Sequence, residues 1–88
     1  LMTVPVTLYT TRFCPYCVAA RRLLSAKGVD YDDIPVDGDP ELRGRMTALS
    51  GGQRTVPQIW VGETHVGGFT DLAALERSGA LDSLLGAS

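Results

Sequence analysis

The start of the chain shows two spacings of apolar side chains. Apolar and polar residues alternate at first, and the apolar positions are Val4, Val6 and Leu8. After Pro15 the apolar positions lie three or four residues apart, at Cys17, Ala20 and Leu24, with Leu23 beside them. Alternation is typical of a half-buried strand, and the wider spacing is typical of a helix face. We therefore predict a strand and then a helix from Pro15 to about Lys27, which Gly28 ends.

The middle of the chain predicts a second strand and a second helix. Residues 29–36 alternate between apolar and polar side chains, which favours a strand, and strand–helix–strand succession favours a parallel pair. Asp39 suits a helix N-cap and Pro40 the first helical position. The apolar positions of this helix are Leu42, Met46 and Leu49, and its end is at Ser50, Gly51 and Gly52.

A hairpin is predicted next. Residues 55–61 favour a strand, and residues 62–63 can turn the chain into a second strand at residues 64–66. Pro57 cannot donate to a ladder, so we expect it at the opening or the edge of its strand, with the Val56 backbone left for another partner. We expect His65 on the surface. We expect Trp60 in the core or partly covered, because no second aromatic residue accompanies it at strand spacing.

The chain closes with helical segments. We expect Thr70 or Asp71 to cap a helix whose buried side carries Leu72 and Leu75. Ser78 and Gly79 end this helix, and residues 81–85 form a last short one.

Cys14 and Cys17 form a C-x-x-C pair between the first strand and the first helix. Because Pro15 takes the first helical position, Cys14 is the predicted N-cap, where unpaired N–H groups and the helix dipole favour a thiolate. Cys14 is therefore the predicted nucleophile. Cys17 follows one turn later, at a Cα separation of roughly 5–6 Å that suits a disulfide. This spacing predicts a reversible redox dithiol.

Two alternatives to redox chemistry are weaker. A disulfide staple would close a loop of only a few residues and would constrain the unfolded chain little. A structural zinc site needs four protein ligands, whereas the chain has two cysteines and one histidine, His65, far along the sequence. We therefore expect no metal.

Composition limits the remaining possibilities. The 88 residues predict a single domain over 1–88, and 44% hydrophobic with 20% charged residues is typical of a globular protein. A net charge of −2 gives no basic surface for nucleic acid. No apolar run approaches the roughly 20 residues of a membrane span, and the expected start at Met2 carries no signal-peptide pattern. We expect a monomer in the cytoplasm. In such a reducing compartment, two cysteines indicate catalytic thiols rather than a structural disulfide.

Three motifs together resemble the glutaredoxins, in their small bacterial dithiol class. They are Cys14-Pro15-Tyr16-Cys17, Thr55-Val56-Pro57 and Gly67-Gly68-Phe69-Thr70-Asp71, in that order. The resemblance covers nearly the whole chain. It implies an α/β thioredoxin-like fold, a four-stranded mixed β-sheet flanked by helices in the order β-α-β-α-β-β-α. It also implies glutathione as co-substrate and no permanently bound cofactor.

The resemblance also implies roles for individual residues. Cys14 would be the nucleophile that takes glutathione, and Cys17 the resolving thiol. Val56, before a cis Pro57, would pair with the glutathione cysteine as an added strand does. The remaining implied glutathione contacts are Thr70 and Asp71 for the γ-glutamyl end, Arg43 for the glycine carboxylate, and Tyr16, Thr55 and Gly68 along the site.

The chain departs from the family pattern at two positions near these residues. Thr11 stands where many relatives carry a lysine that helps to hold the glycine carboxylate, and Arg12 is the candidate replacement. Phe69 stands where some relatives have a third cysteine.

The function that the resemblance implies is a glutathione-dependent thiol-disulfide oxidoreductase. Its partners would be glutathionylated or disulfide-bonded proteins, ribonucleotide reductase among them. Two alternatives stay open, an electron donor served by thioredoxin reductase and a glutathione-ligated iron–sulfur carrier. Pro15 disfavours the carrier, because cluster-binding relatives usually have serine or glycine at this position.

Overall fold

The computed structural model describes residues 4–86, so the expected start at Met2 lies outside the described part. The strands are β1 (Val6–Thr10), β2 (Asp32–Pro35), β3 (Gln58–Val61) and β4 (Thr64–Gly67). The helices are α1 (Pro15–Ala26), α2 (Pro40–Leu49), α3 (Phe69–Ser78) and α4 (Ala80–Leu85). No helix within residues 4–86 has the length and apolar character needed to cross a bilayer.

The four strands form one mixed sheet in the order β2-β1-β3-β4. β1 is parallel to β2 and antiparallel to β3, and β3 is antiparallel to β4. The predicted order β-α-β-α-β-β-α is confirmed, as is the last short helix, α4. Because β1 and β3 are the central strands, Leu8 and Ile59 face each other in register and are both fully buried.

The core lies between the sheet and α1, α3 and α4. The predicted buried face of α1 is confirmed, because Ala20 and Leu24 are fully buried against the sheet residues. α3 contributes Leu72, and α4 contributes Leu81 and Leu85. Full burial of one such leucine contributes about 1.5–3 kcal/mol relative to exposure. This packing fixes the start of α1, and with it Cys14, against the end of β1.

Two predicted elements differ from the structure in extent or burial. β2 spans only residues 32–35, because it is an edge strand that pairs with β1 alone, and the buried Val29 and Val36 lie beyond its ends. The apolar face predicted for α2 is also incomplete. Met46 is fully buried, but Leu49 is 57% exposed and Leu42 only half-buried, so α2 contacts the rest of the protein through a narrow strip.

The starts of β3 and α3 also differ from prediction. β3 begins at Gln58 rather than residue 55, since Pro57 has no N–H to donate. The expected cap of α3 at Thr70 or Asp71 is wrong: Gly68 is the N-cap, and the Asp71 carboxylate accepts a hydrogen bond from its N–H at 3.0 Å. Gly67 has φ +114°, and a Cβ there would lie 2.5 Å from Asp71 Oδ2, so this turn requires glycine.

Candidate active site

Cys14 is the N-cap of α1, and Pro15 is its first residue, as predicted. The Cys14 backbone is extended, with φ −129° and ψ 107°, so its side chain turns back over the first helical turn. The Cys17 N–H donates a hydrogen bond to Cys14 Sγ at 3.2 Å. A helix N-terminus with an N–H aimed at the sulfur stabilises negative charge there. Cys14 is partly exposed, so a disulfide from solution can reach it.

Cys17 lies in a different environment although it is only one turn away. Both cysteines are free thiols, but Cys17 is fully buried. Burial raises the pKa of Cys17 to about 12, and its hydrogen bond with Cys14 acts in the same direction. A hydrogen bond with the Thr11 backbone and the charge of Arg21 oppose this rise in pKa. Cys17 therefore cannot be the first thiol to attack, and it can react with a disulfide formed at its neighbour.

A groove of about 250 Å³ lies beside Cys14, between the start of α1, the segment before β3 and the start of α3. The Val56–Pro57 peptide bond is cis, as the resemblance implied. The Cys14 thiol donates to the Val56 carbonyl with a sulfur–oxygen distance of 3.7 Å. We call this space the Cys14 groove, and its lining residues are Tyr16, Thr55, Val56, Pro57, Gly68, Phe69 and Thr70.

The walls of the Cys14 groove combine aromatic surface with backbone polar groups. Tyr16 is 61% exposed, and its ring centroid lies 6.3 Å from that of the half-buried Phe69. In the sequence, Phe69 is distinguished only as a position where some relatives have a third cysteine. Its place between Gly68 and Thr70, in one motif, was the available signal. Apolar walls with a few backbone donors and acceptors suit a small peptide-like ligand.

Three of the predicted contact residues lie away from this lining. The Arg12 N–H donates to both carboxylate oxygens of Asp37, at 2.9 and 3.1 Å. Arg43 lies on α2 and donates from Nη2 to the Arg54 carbonyl at 3.1 Å. Asp71 caps the Gly68 N–H. Arg12 lines a separate cavity of about 480 Å³ together with Thr10, Thr11, Arg21, Asp33, Pro35 and Asp37.

The structure also corrects the expectations for His65 and Trp60. His65 is half-buried rather than on the surface, and its Nε2 lies 2.7 Å from Oε1 of the fully buried Gln58. Trp60 is partly covered, as expected, but it has aromatic neighbours. Its ring centroid is 5.3 Å from Tyr9 and 4.6 Å from His65. These partners come from adjacent strands, so spacing along one strand does not reveal them.

Comparison with known proteins gives a consistent family. The model of the glutaredoxin family matches residues 6–66. A glutaredoxin of Pseudomonas aeruginosa is 60% identical over 83 residues, which cover 94% of this chain and 98% of the relative. Glutaredoxin 3 of Escherichia coli K12 is 48% identical over 80 residues, which cover 91% of this chain and 95% of the relative.

Solved structures extend the similarity to the fold. The solution structure of a glutaredoxin from Brucella melitensis superposes with a TM-score of 0.84 at 48% identity, covering 97% of this chain and 91% of that one. A crystal structure of a buckwheat glutaredoxin–glutathione complex gives a TM-score of 0.85 at 27% identity, covering 94% and 77%. The chain therefore has the thioredoxin-like fold and belongs to the glutaredoxin family of thiol-disulfide oxidoreductases.

Proposed function

We propose that this protein uses glutathione to reduce mixed disulfides between glutathione and proteins. The observation that carries the proposal is the Cys14 groove: Val56 lines it, and the Val56 carbonyl oxygen lies 3.7 Å from Cys14 Sγ, so the expected nucleophile is next to a small cleft. One wall of the cleft is aromatic, and another is the segment that leads into β3. Glutathione is a short peptide with a thiol at its centre, so it matches both the size and the chemistry of the groove.

The proposed reaction is two successive thiol–disulfide exchanges. The Cys14 thiolate attacks the glutathione sulfur of a mixed disulfide, and the client protein leaves as a thiolate that takes up a proton. A second glutathione thiolate then attacks the glutathione sulfur bound to Cys14. This step releases glutathione disulfide and regenerates Cys14, so no permanently bound cofactor is needed.

Glutathione would lie along the groove with its cysteine paired to the Val56 backbone, in the manner of an added strand. Its γ-glutamyl end would then reach Gly68 and Thr70 at the start of α3, where backbone N–H groups favour a carboxylate. Tyr16 and Thr55 would close the sides. The similar buckwheat glutaredoxin forms a complex with glutathione, which supports glutathione as the ligand. The Asp71 carboxylate, which accepts a hydrogen bond from the Gly68 N–H, would attract the ammonium group of the γ-glutamyl end.

Cys17 adds a second branch for disulfides between two protein cysteines. There Cys14 forms a mixed disulfide with the client, and Cys17 attacks Cys14 to release the client and form an internal disulfide. Two glutathione molecules then reduce this disulfide. We propose ribonucleotide reductase as one such client. We also propose that this protein is a single-domain monomer of the cytoplasm, because a reducing compartment keeps both of its thiols reduced.

The glycine carboxylate of glutathione gives a prediction at Thr11. Thr11→Lys should lower the Michaelis constant for glutathione, because many relatives carry at this position a lysine that helps to hold the glycine carboxylate. A partly exposed ion pair is worth ~0.5–1 kcal/mol, which corresponds to a two- to fivefold change. Steady-state rates at low and high salt measure it, and the gain should fade as salt screens the pair.

The neutral variant Thr11→Gln is the matched control, because it adds length without charge. If Thr11→Lys leaves the constant unchanged at low ionic strength, then Thr11 is not beside the carboxylate.

The experiment that tests the proposed function is a coupled assay with a glutathionylated peptide. Glutathione and glutathione reductase should support steady turnover, whereas thioredoxin reductase in place of both should not. Turnover with thioredoxin reductase alone would instead make the protein a donor served by that enzyme.

A further inference from the structure

Side chains, rather than a backbone ladder, hold the segment that leads into the Cys14 groove. Residues 53–55 belong to no helix or strand of the described chain, yet each of their three successive carbonyls accepts a side-chain hydrogen bond. The donors are Ser50 Oγ to the carbonyl of residue 53 at 2.8 Å, Arg43 Nη2 to that of residue 54 at 3.1 Å, and Gln58 Nε2 to that of residue 55 at 3.0 Å.

Gln58 is the most deeply buried of these three donors. It is the first residue of β3 and is fully buried. Besides the Thr55 carbonyl, its Nε2 lies 3.3 Å from Thr55 Oγ1 and 3.2 Å from Gln53 Oε1. Because a carbonyl can only accept, the amide nitrogen must face Thr55, and the amide oxygen must face His65. His65 Nε2 therefore carries the proton and donates to Gln58 Oε1 at 2.7 Å.

His65 is itself held by the sheet. Its ring lies against Trp60, with centroids 4.6 Å apart, and Trp60 meets the edge of Tyr9. The Gln58 amide is thus fixed on one side by a ring from β4 and on the other by Thr55. Thr55 lines the groove and directly precedes Val56, whose carbonyl lies beside Cys14.

We propose that Gln58 is a positioning residue for the ligand edge of the groove, with His65 orienting its amide. The inference rests on the proposed function. Gln58 does not approach the reacting sulfurs; it acts through Thr55 and Val56. An edge that is already ordered loses little conformational freedom when a ligand pairs with it, so removing this hydrogen bond should weaken glutathione binding and leave the thiol chemistry of Cys14 unchanged.

The test compares Gln58→Leu with the unaltered protein on two mixed disulfides of the same peptide, one with glutathione and one with cysteamine. Dithiothreitol serves as the reductant, so that glutathione enters only through the substrate. In Gln58→Leu the Michaelis constant for the glutathionylated peptide should rise about tenfold, the effect of roughly one lost hydrogen bond with one carbonyl left unpaired. The rate on the cysteamine disulfide and the rate of Cys14 alkylation should stay within about twofold.

Two further variants keep the test decisive. His65→Phe retains a ring against Trp60 but cannot donate to Gln58, so it should raise the same constant by about threefold. The His65→Phe variant replaces Gln58→Leu in the test if Gln58→Leu does not fold. Leu81→Val, in the α4 part of the core, is the control for lost stability, because it should lower the melting temperature without changing the preference for glutathione.

The outcomes separate this inference from the proposed function. A Michaelis constant that stays the same in both variants, or an equal loss on both substrates, would overturn the positioning role alone. If the unaltered protein does not prefer the glutathionylated peptide over the cysteamine disulfide, then the glutathione groove itself is wrong, and the positioning role falls with it.

Discussion

Cys14→Ser should lower the rate on every disulfide substrate by at least about a thousandfold, because the attacking sulfur is lost. Cys17→Ser should behave differently on two kinds of substrate. Deglutathionylation should stay within about twofold of the unaltered rate or increase, since a second glutathione can release Cys14 and the competing internal disulfide cannot form. Reduction of a disulfide between two protein cysteines should fall by at least about tenfold, because no second thiol frees the bound client.

Steady-state rates of both variants on both substrate types measure this difference. The Cys14→Ser and Cys17→Ser variants are matched controls for each other, because each removes one sulfur from the same helical turn. Loss of deglutathionylation in Cys17→Ser would mean that the dithiol cycle is obligatory, and the glutathione-only branch would then be wrong.

Alkylation of the reduced protein should be almost entirely confined to Cys14 between pH 7 and pH 9. The pKa of Cys17 is raised to about 12, chiefly by burial. At pH 8 Cys17 is therefore almost entirely the neutral thiol, and only the thiolate reacts. A raised pKa means that the neutral thiol is favoured in the folded protein, so Cys17 labelling should rise about tenfold for each pH unit up to about pH 12.

Peptide mass spectrometry after timed treatment with iodoacetamide measures the two sites separately. In urea the burial of Cys17 is lost, and both cysteines should react at similar rates above pH 9. Equal labelling of the two sites in the folded protein at pH 8 would contradict the division of roles between them.

Much of the active site could be predicted from local sequence, because local rules determine it. Pro15 takes the first helical position, and this places Cys14 at the N-cap. Cys17 then lies one turn further along, on the buried face of the helix. The position of the Val56–Pro57 segment beside the cysteines came from the family resemblance. Strand spacing alone predicts only that Pro57 lies at the opening or edge of a strand.

The features that were missed depend on contacts between distant parts of the chain. The network around Gln58 joins residue 53 to residue 65, and its polar side chains would ordinarily be assigned to the surface. Burial of Gln58 becomes favourable only because Thr55 and His65 satisfy its amide. The misplaced cap of α3 has a local cause instead: the side chain of Asp71, the third residue of the helix, accepts a hydrogen bond from the N–H of the Gly68 cap.

The most direct test of glutathione binding in the Cys14 groove uses the Cys17→Ser variant with glutathione linked to Cys14 by a disulfide bond. Backbone amide hydrogen exchange is followed by NMR with and without the bound glutathione. If the glutathione cysteine pairs with the Val56 backbone, exchange at the Val56 N–H should slow by at least about tenfold, whereas exchange at Glu63 in the distant hairpin turn should not change. Unchanged exchange at Val56 in the glutathione-bound protein would contradict the proposed site.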